Sequence, residues 1–516
     1  MFSIQSQIIK PPHILDLPSE ILAHIFSYVR PTASRDDSLR RGGARHFSSS
    51  PNEIKNIRLV CRRFCEESSH LLLPIVTVSI NSTSLARLDE ISLHPFIAQG
   101  IRMIVVVLSF FASDLANEFN EYFFYYQWRE LRARVKEWGA RTDNSNTPGC
   151  GDGNLAAVTK CRRILDSWNR AGWNSTASNL NDEDQRNMQL IRRAHEEYRH
   201  AYLEQERLRT TGSFVQAVAD AVARMPLAKS LYITDREPIF KPPSQRATSL
   251  TIVDKMANDD VFIANIVRPI AWAHELGHEF SSPPLELLSQ IPLAIHGAGV
   301  KLTDVNYNIS AVRDFSRFFR GTQDLKSLKI AMRQLTSFTF ELAFSRDDPG
   351  VFENFDYEGV THFVEAFIDT DSIQSIGINM GTSLLLSAGS LLLTRTWPRL
   401  RHVYFQSPLH FEELREFYAR IQRPVEVELD GVYLLSGSWA DVLDIMRANP
   451  PPQRQISSFC IRDPHGAECS TMTGMKRYEI FDNPFHNRLG LYIERKIRDN
   501  PLRQPLGDAD NEIDWD

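Results

Sequence analysis

The chain has 516 residues, more than one ordinary domain holds, so two to four units or one extended repeat array are expected. Hydrophobic residues make up 42% and charged residues 24%, both near globular averages, so most of the chain can bury a core. Lysine and arginine total 58 against 64 acids, a net charge of −6, which argues against a dedicated nucleic-acid binder because no basic surplus is there to neutralise phosphates.

Six cysteines are too few for a disulfide scaffold and suit a reducing compartment. The opening MFSIQSQIIK lacks the basic stretch and long apolar core of a secretory signal. The longest strongly apolar run, residues 104–112, is far short of the ~20 residues that span a bilayer. The Asn-x-Ser/Thr triplets at Asn81, Asn174 and Asn308 are accordingly expected to stay unmodified. The expectation is a soluble intracellular protein of the cytoplasm, the nucleus or both, with no membrane partner.

In chain order, residues 11–30 place Leu17, Ile21, Leu22, Ile25, Phe26 and Val29 at helical spacing, with Pro18 and Glu20 suited to the first turn. Residues 31–52 are polar and read as a flexible loop. A second helix is predicted over 53–69, with Ile54, Ile57, Val60, Cys61 and Phe64 on one side. Pro74 closes it, and IVTVSI, residues 75–80, alternates like a strand; the first strand and helix elements of a repeat region are placed at 75–112. Residues 113–225 read as a helical insertion interrupted by linkers near 141–154 and 172–182. Residues 226–500 change texture to short apolar strands, at 229–235, 325–332, 337–344, 372–379, 399–406 and 425–432. The last three sit about 25 residues apart with helical stretches at 411–421 and 439–448, inside the ~20–29-residue period of leucine-rich repeats. The predicted fold class is therefore mixed: a small all-α N-terminal module, a long helical insertion, then an irregular leucine-rich-repeat-like α/β solenoid. Residues 501–516 form an acidic tail.

The N-terminal strings LDLPSEILAHIFSYV and IRLVCRRFCEESSHLLLP together resemble the F-box family, of the filamentous-fungal type. Both halves of that family's pattern stand here in order, Leu-Pro-x-Glu-Ile-Leu-x-x-Ile-Phe and Arg-Leu-Val-Cys-Arg-x-Phe, over about 60 residues. The loop 31–52 between them is longer than the family's usual connection, although closure entropy grows only logarithmically with loop length. The resemblance implies a non-catalytic adaptor. Its F-box docks on a Skp-type linker protein of a cullin–RING ubiquitin ligase while the rest of the chain holds a protein client. It assigns the docking face within residues 11–74 to Leu17, Pro18, Ile21, Leu22, Ile25, Leu59 and Val60, and implies no cofactor.

A competing motif is IAWAHELGHEF, which holds His-Glu-x-x-His at His274, Glu275 and His278. On a helix the two histidines would share a face and grip zinc, with Glu275 as general base, as in metalloproteases. The sequence around it disagrees: Ser281 and Pro284 stand where the longer zinc motif needs glycine and histidine, and Pro269, Pro283 and Pro284 confine any helix. A third ligand would have to be supplied remotely, by Glu286 or His296 for example. The expectation is no metal site, with the metalloprotease as one alternative and a repeat scaffold without any ligase link as the other. The Cys61–Cys65 pair, Cys460 and Cys469, and the glycines at 149, 151 and 153 carry no recognisable metal or phosphate motif. The aromatic run 122–128 is expected to be helical core.

Overall fold

A computed structural model describes residues 14–29, 51–144, 152–171, 181–236, 258–272, 283–312, 315, 318, 322–343, 356–381, 387–421, 423, 425–450, 461–472, 481 and 488–503. Nine strands form one sheet: β1 (Ile75–Ser79), β2 (Met103–Val107), β3 (Ser230–Thr234), β4 (Asp304–Ser310), β5 (Ser337–Ala343), β6 (Ser375–Asn379), β7 (His402–Gln406), β9 (Glu426–Asp430) and β11 (Ile461–Arg462). Every neighbouring pair is parallel and the sheet order follows the chain order. Because that order never reverses, these strands do not build the switch-point crevice at which doubly wound sheets bind ligands.

Alternation along each strand divides the sheet into two chemistries. One face carries Val78, Val106, Ile233, Tyr307, Phe340, Ile378, Phe405 and Leu429, all buried in the main core. The helices Ser213–Ala223, Leu287–Gly297, Tyr357–Ile368 and Phe411–Arg420 contribute buried residues to the same core. Tyr307 lies 5.2 Å from Phe363 and 5.3 Å from Phe367, and its hydroxyl donates to the Leu288 carbonyl at 2.8 Å. The opposite face is polar from β4 onward.

The last three units repeat a finer pattern. Each of the strands β7, β9 and β11 is followed, three residues after its end, by a further strand: β8 (Leu409–His410), β10 (Tyr433–Ser436) and β12 (His465–Gly466). These form a second, parallel three-stranded sheet in the order β12-β10-β8. The turn between β9 and β10 holds Gly431 at φ +60°, a conformation that costs glycine little.

Between β2 and β3, which pair directly, lie the helices Ser113–Asn117, Tyr125–Asn144, Asp152–Ala171, Asp182–Thr210 and Ser213–Ala223. Phe123, Trp168 and Tyr198 are buried at their centre, and the Ala112 N–H donates to the Tyr198 hydroxyl at 2.9 Å. Within the aromatic run, Phe123, Phe124 and Tyr126 are core, whereas Tyr122 is 47% exposed. The first expected linker, 141–154, is narrower than its composition suggested, since helix runs to Asn144 and resumes at Asp152; at the second, 172–182, helix ends at Ala171 and starts again at Asp182. Residues 145–151 and 172–180 lie outside the described residues, as do 31–50 and the tail from 504.

Two expectations are corrected. Residues 325–332 are not a strand but lie almost wholly within the helix Thr322–Ala331, where Leu325, Leu328 and Met332 recur at helical spacing and the latter two are buried. The single helix over 53–69 is two, α2 (Pro51–Arg58) and α3 (Arg62–Ser68), broken at Leu59 and Val60. Cys61 sits at the break, and its sulfur accepts the Phe64 N–H at 3.4 Å as the cap of α3.

One buried carboxylate ties distant segments together. Asp235, just past β3, is fully buried; it accepts the Trp272 N–H at 2.9 Å and the Ser310 N–H at 3.1 Å. The Trp272 indole N–H in turn donates to the Leu108 carbonyl at 2.8 Å. Burial raises the Asp235 carboxyl above its ordinary value, opposed by the Arg236 guanidinium beside it. Among the described residues no helix is long and apolar enough to cross a membrane.

Candidate functional site

Helix α1 (Ser19–Val29) with α2 and α3 forms a module with its own interior of Leu22, Phe26, Ile54, Phe64 and Leu71, separate from the main core. Phe26 meets Phe64 edge-on at 5.0 Å between ring centroids. Helix α1 carries apolar side chains on two sides. Leu22 and Phe26, four residues apart, point inward and are 0% and 3% exposed. Ile21 and Ile25, also four apart, point outward at 46% and 38%. In the α2–α3 turn Leu59 is 84% and Val60 66% exposed.

The Arg63 guanidinium, in the first turn of α3, donates to the Leu15 carbonyl and to the Leu17 carbonyl at 2.5 Å. That clamp ties α3 to the segment leading into α1. Of the seven residues assigned by the family resemblance, Pro18, Ile21, Ile25, Leu59 and Val60 are exposed. Leu22 is corrected: it belongs to the module's interior, and Leu17 is half-buried against it, so both hold the helix rather than present a surface. The sequence reading left out Ile14, Leu15 and Tyr28, exposed by 45%, 38% and 74%. Tyr28 follows Ile21 and Ile25 at the spacing of one helical stripe, a signal that was available.

At the junction with the sheet, the turn Ser69–Leu71 packs against Ala98–Gly100 so closely that a Cβ on Gly100 would stand 1.6 Å from the His70 carbonyl oxygen. Only glycine fits that crossing.

The zinc alternative gains no support from its neighbours. His274, Glu275 and His278 lie outside the described residues. Of the remote ligands considered, Glu286 is held by Arg209 Nε at 2.8 Å, and His296 is exposed at the end of its helix. Among the described residues no group of three or more His, Cys, Asp or Glu side chains is arranged to hold a metal ion.

A second surface is the polar face of the sheet. Its floor follows the register Asn306, Thr339, Gly377, Tyr404, Glu428 across β4 to β9. Two residues further along each strand runs a half-exposed ledge of Asn308, Glu341, Asn379, Gln406, Asp430 and Arg462. Asn308 Nδ2 donates to Glu341 Oε2 at 2.8 Å, Tyr404 donates to Gln406 Oε1 at 2.7 Å, and Arg462 reaches Asp430 at 3.0 Å. Burial raises the Glu341 and Asp430 carboxyls, with Arg236 and Arg462 respectively pulling the other way. No sequence motif marked this ledge, because each strand contributes one residue and the strands lie tens of residues apart.

No protein-family model matches the chain, and no functionally curated protein matches it.

Proposed function

We propose that the chain is a non-catalytic adaptor of the F-box type. In this reading α1–α3 dock a Skp-type linker protein, and through it a cullin–RING ubiquitin ligase, while the sheet behind them, a leucine-rich-repeat-like solenoid, holds a protein client inside the cell. The observation that carries the reading is the outward apolar side of a module that has already filled its own interior. The helical unit, described over residues 14–29 and 51–74, satisfies its core with Leu22, Phe26, Ile54, Phe64 and Leu71, yet leaves Ile21, Ile25, Leu59 and Val60 in water. Apolar side chains left outside a finished core are the usual mark of a second polypeptide. The two-part sequence resemblance names which polypeptide that is. The strictly chain-ordered parallel sheet, with its three strand–turn–strand units at the C-terminal end, supports the repeat-array part of the reading.

Such a protein makes and breaks no bond. It raises the effective concentration of client lysines near a ubiquitin carrier, which accelerates transfer without a catalytic residue. The test is size-exclusion chromatography of the full chain with a purified Skp-type linker protein. A stoichiometric complex is expected, lost in Ile21→Asp/Ile25→Asp; two separate peaks with the wild type would end the proposal.

A further inference from the structure

We propose that residues 488–503 form a strap that lies across the helix Trp439–Ala448 and opens as one piece, held shut by a latch centred on Asp444 and Arg447. The helix has two sides. Trp439, Val442, Leu443 and Met446 are buried in the main core, whereas Ala440, Asp444, Arg447 and Ala448 fall on the stripe that meets the strap. Asp444 accepts from three strap residues: the Tyr492 hydroxyl at 2.5 Å, Asn500 Nδ2 at 2.8 Å and Arg503 Nη2 at 2.8 Å. Burial would raise its carboxyl, but those donors outweigh it and keep the group below its ordinary value. Arg447 Nη1 donates to the Tyr492 and Ile497 carbonyls, both at 2.6 Å, and its guanidinium lies 4.3 Å from the Tyr492 ring centroid.

The strap's own backbone depends on the same contact. Its short helix, Arg488–Ile493, ends with the Lys496 N–H on the Leu491 carbonyl at 2.8 Å and the Arg495 N–H on the Tyr492 carbonyl at 3.0 Å, turning through Arg495 at φ +63°. Glycine is the usual residue at such a stop, because a side chain is unfavourable in that conformation. The Arg495 side chain reaches the Arg447 and Ala448 carbonyls at 3.3 and 3.4 Å, at the end of the helix beneath, which offsets that cost only while the strap is shut. Leu489, Tyr492 and Ile493 are buried in the closed strap, yet the Asp444 and Arg503 side chains keep 38% and 54% of their surface in water. Three apolar side chains and a latch that solvent reaches, on the outer side of a helix whose inner side is separately filled, make a unit of low local stability. It opens together because Tyr492, Asn500 and Arg503 share one acceptor, and losing Asp444 releases all three.

The experiment is amide hydrogen exchange of the full chain, with limited trypsin cleavage as a second readout, since the strap carries Arg495, Lys496 and Arg498. Asp444→Ala and Arg447→Met are each expected to speed exchange across 488–503 about tenfold or more, allowing for partial screening of the charge-assisted bonds. Cleavage at the three basic residues should rise in parallel, while strands β7 and β9 exchange as before. Arg420→Met deletes an ion pair of similar exposure, to Glu416 on the helix Phe411–Arg420, and should leave the strap unchanged. If the Asp444 variant does not fold, Arg503→Met breaks the latch from the strap side, outside any helix, with the same expected acceleration. Unchanged strap exchange in the latch variants, acceleration limited to amides beside the deleted side chain, or equal acceleration in β7 and β9 would each overturn the inference. So would the same response to Arg420→Met.

Discussion

Replacing Leu59 and Val60 by aspartate separates surface from interior within the N-terminal module. Complete burial of a leucine or valine side chain is worth about 1.5–3 kcal/mol. With 84% and 66% of the two residues open to solvent, most of that is available to a partner and little has been used in folding. If the module docks a linker protein as proposed, the pair should supply about 3 kcal/mol of docking energy, roughly a hundredfold in Kd, before the extra cost of burying two carboxylates against an apolar surface. Stability should change by no more than about 0.5 kcal/mol, because both side chains already sit in water. Leu22→Ala is the counterpart. It removes a fully buried side chain and should cost about 2–5 kcal/mol of module stability, weakening docking only through unfolding. Calorimetric titration with the linker protein, alongside a circular-dichroism melt, reads both quantities. An unchanged Kd for a folded Leu59→Asp/Val60→Asp protein would refute the assignment of this surface.

Three further outcomes follow from the packing. Gly100→Ala must push aside the His70 carbonyl, whose oxygen would stand only 1.6 Å from the new Cβ, and urea titration should show a loss of about 3 kcal/mol or more; a change below about 1 kcal/mol contradicts the crossing. Asp235→Ala strips the acceptor from the buried N–H groups of Trp272 and Ser310, so a loss of about 2–4 kcal/mol is expected by the same measurement, and a neutral result would show that the clip is dispensable. Burial holds the folded pKa of Glu341 above its unfolded value, so its contribution to stability is complete below the unfolded pKa and declines as pH rises through the folded one. Glu341→Gln, which still accepts from Asn308, should match the wild type in Tm near about pH 4 and exceed it above about pH 6; the opposite trend contradicts the shift.

The sequence announced the N-terminal helices because an amphipathic period survives even when two sides are apolar, but it merged α2 and α3. Leu59 and Val60, expected inside one continuous helix, form instead the exposed corner between two. Strands β6, β7 and β9 were legible from alternation, since each has one apolar and one polar face. Strand β4 alternates as plainly, Val305, Tyr307 and Ile309 against Asn306 and Asn308, and went unnoticed between its less regular neighbours. Strand β2 is buried along its whole length and reads as a continuous apolar run without a period. Its pairing with β3 skips the whole helical insertion, which no local signal can reveal. The polar ledge is hidden for the same reason: side chains that share a row are set by register, not by neighbourhood in the chain.

Hydrogen–deuterium exchange of the full chain with and without the Skp-type linker protein tests the central claim most directly. The account expects new protection in the amides of Ser19–Val29 and of the turn at Leu59 and Val60, with the nine-stranded sheet unchanged. Protection confined to the sheet, or none anywhere, would contradict it.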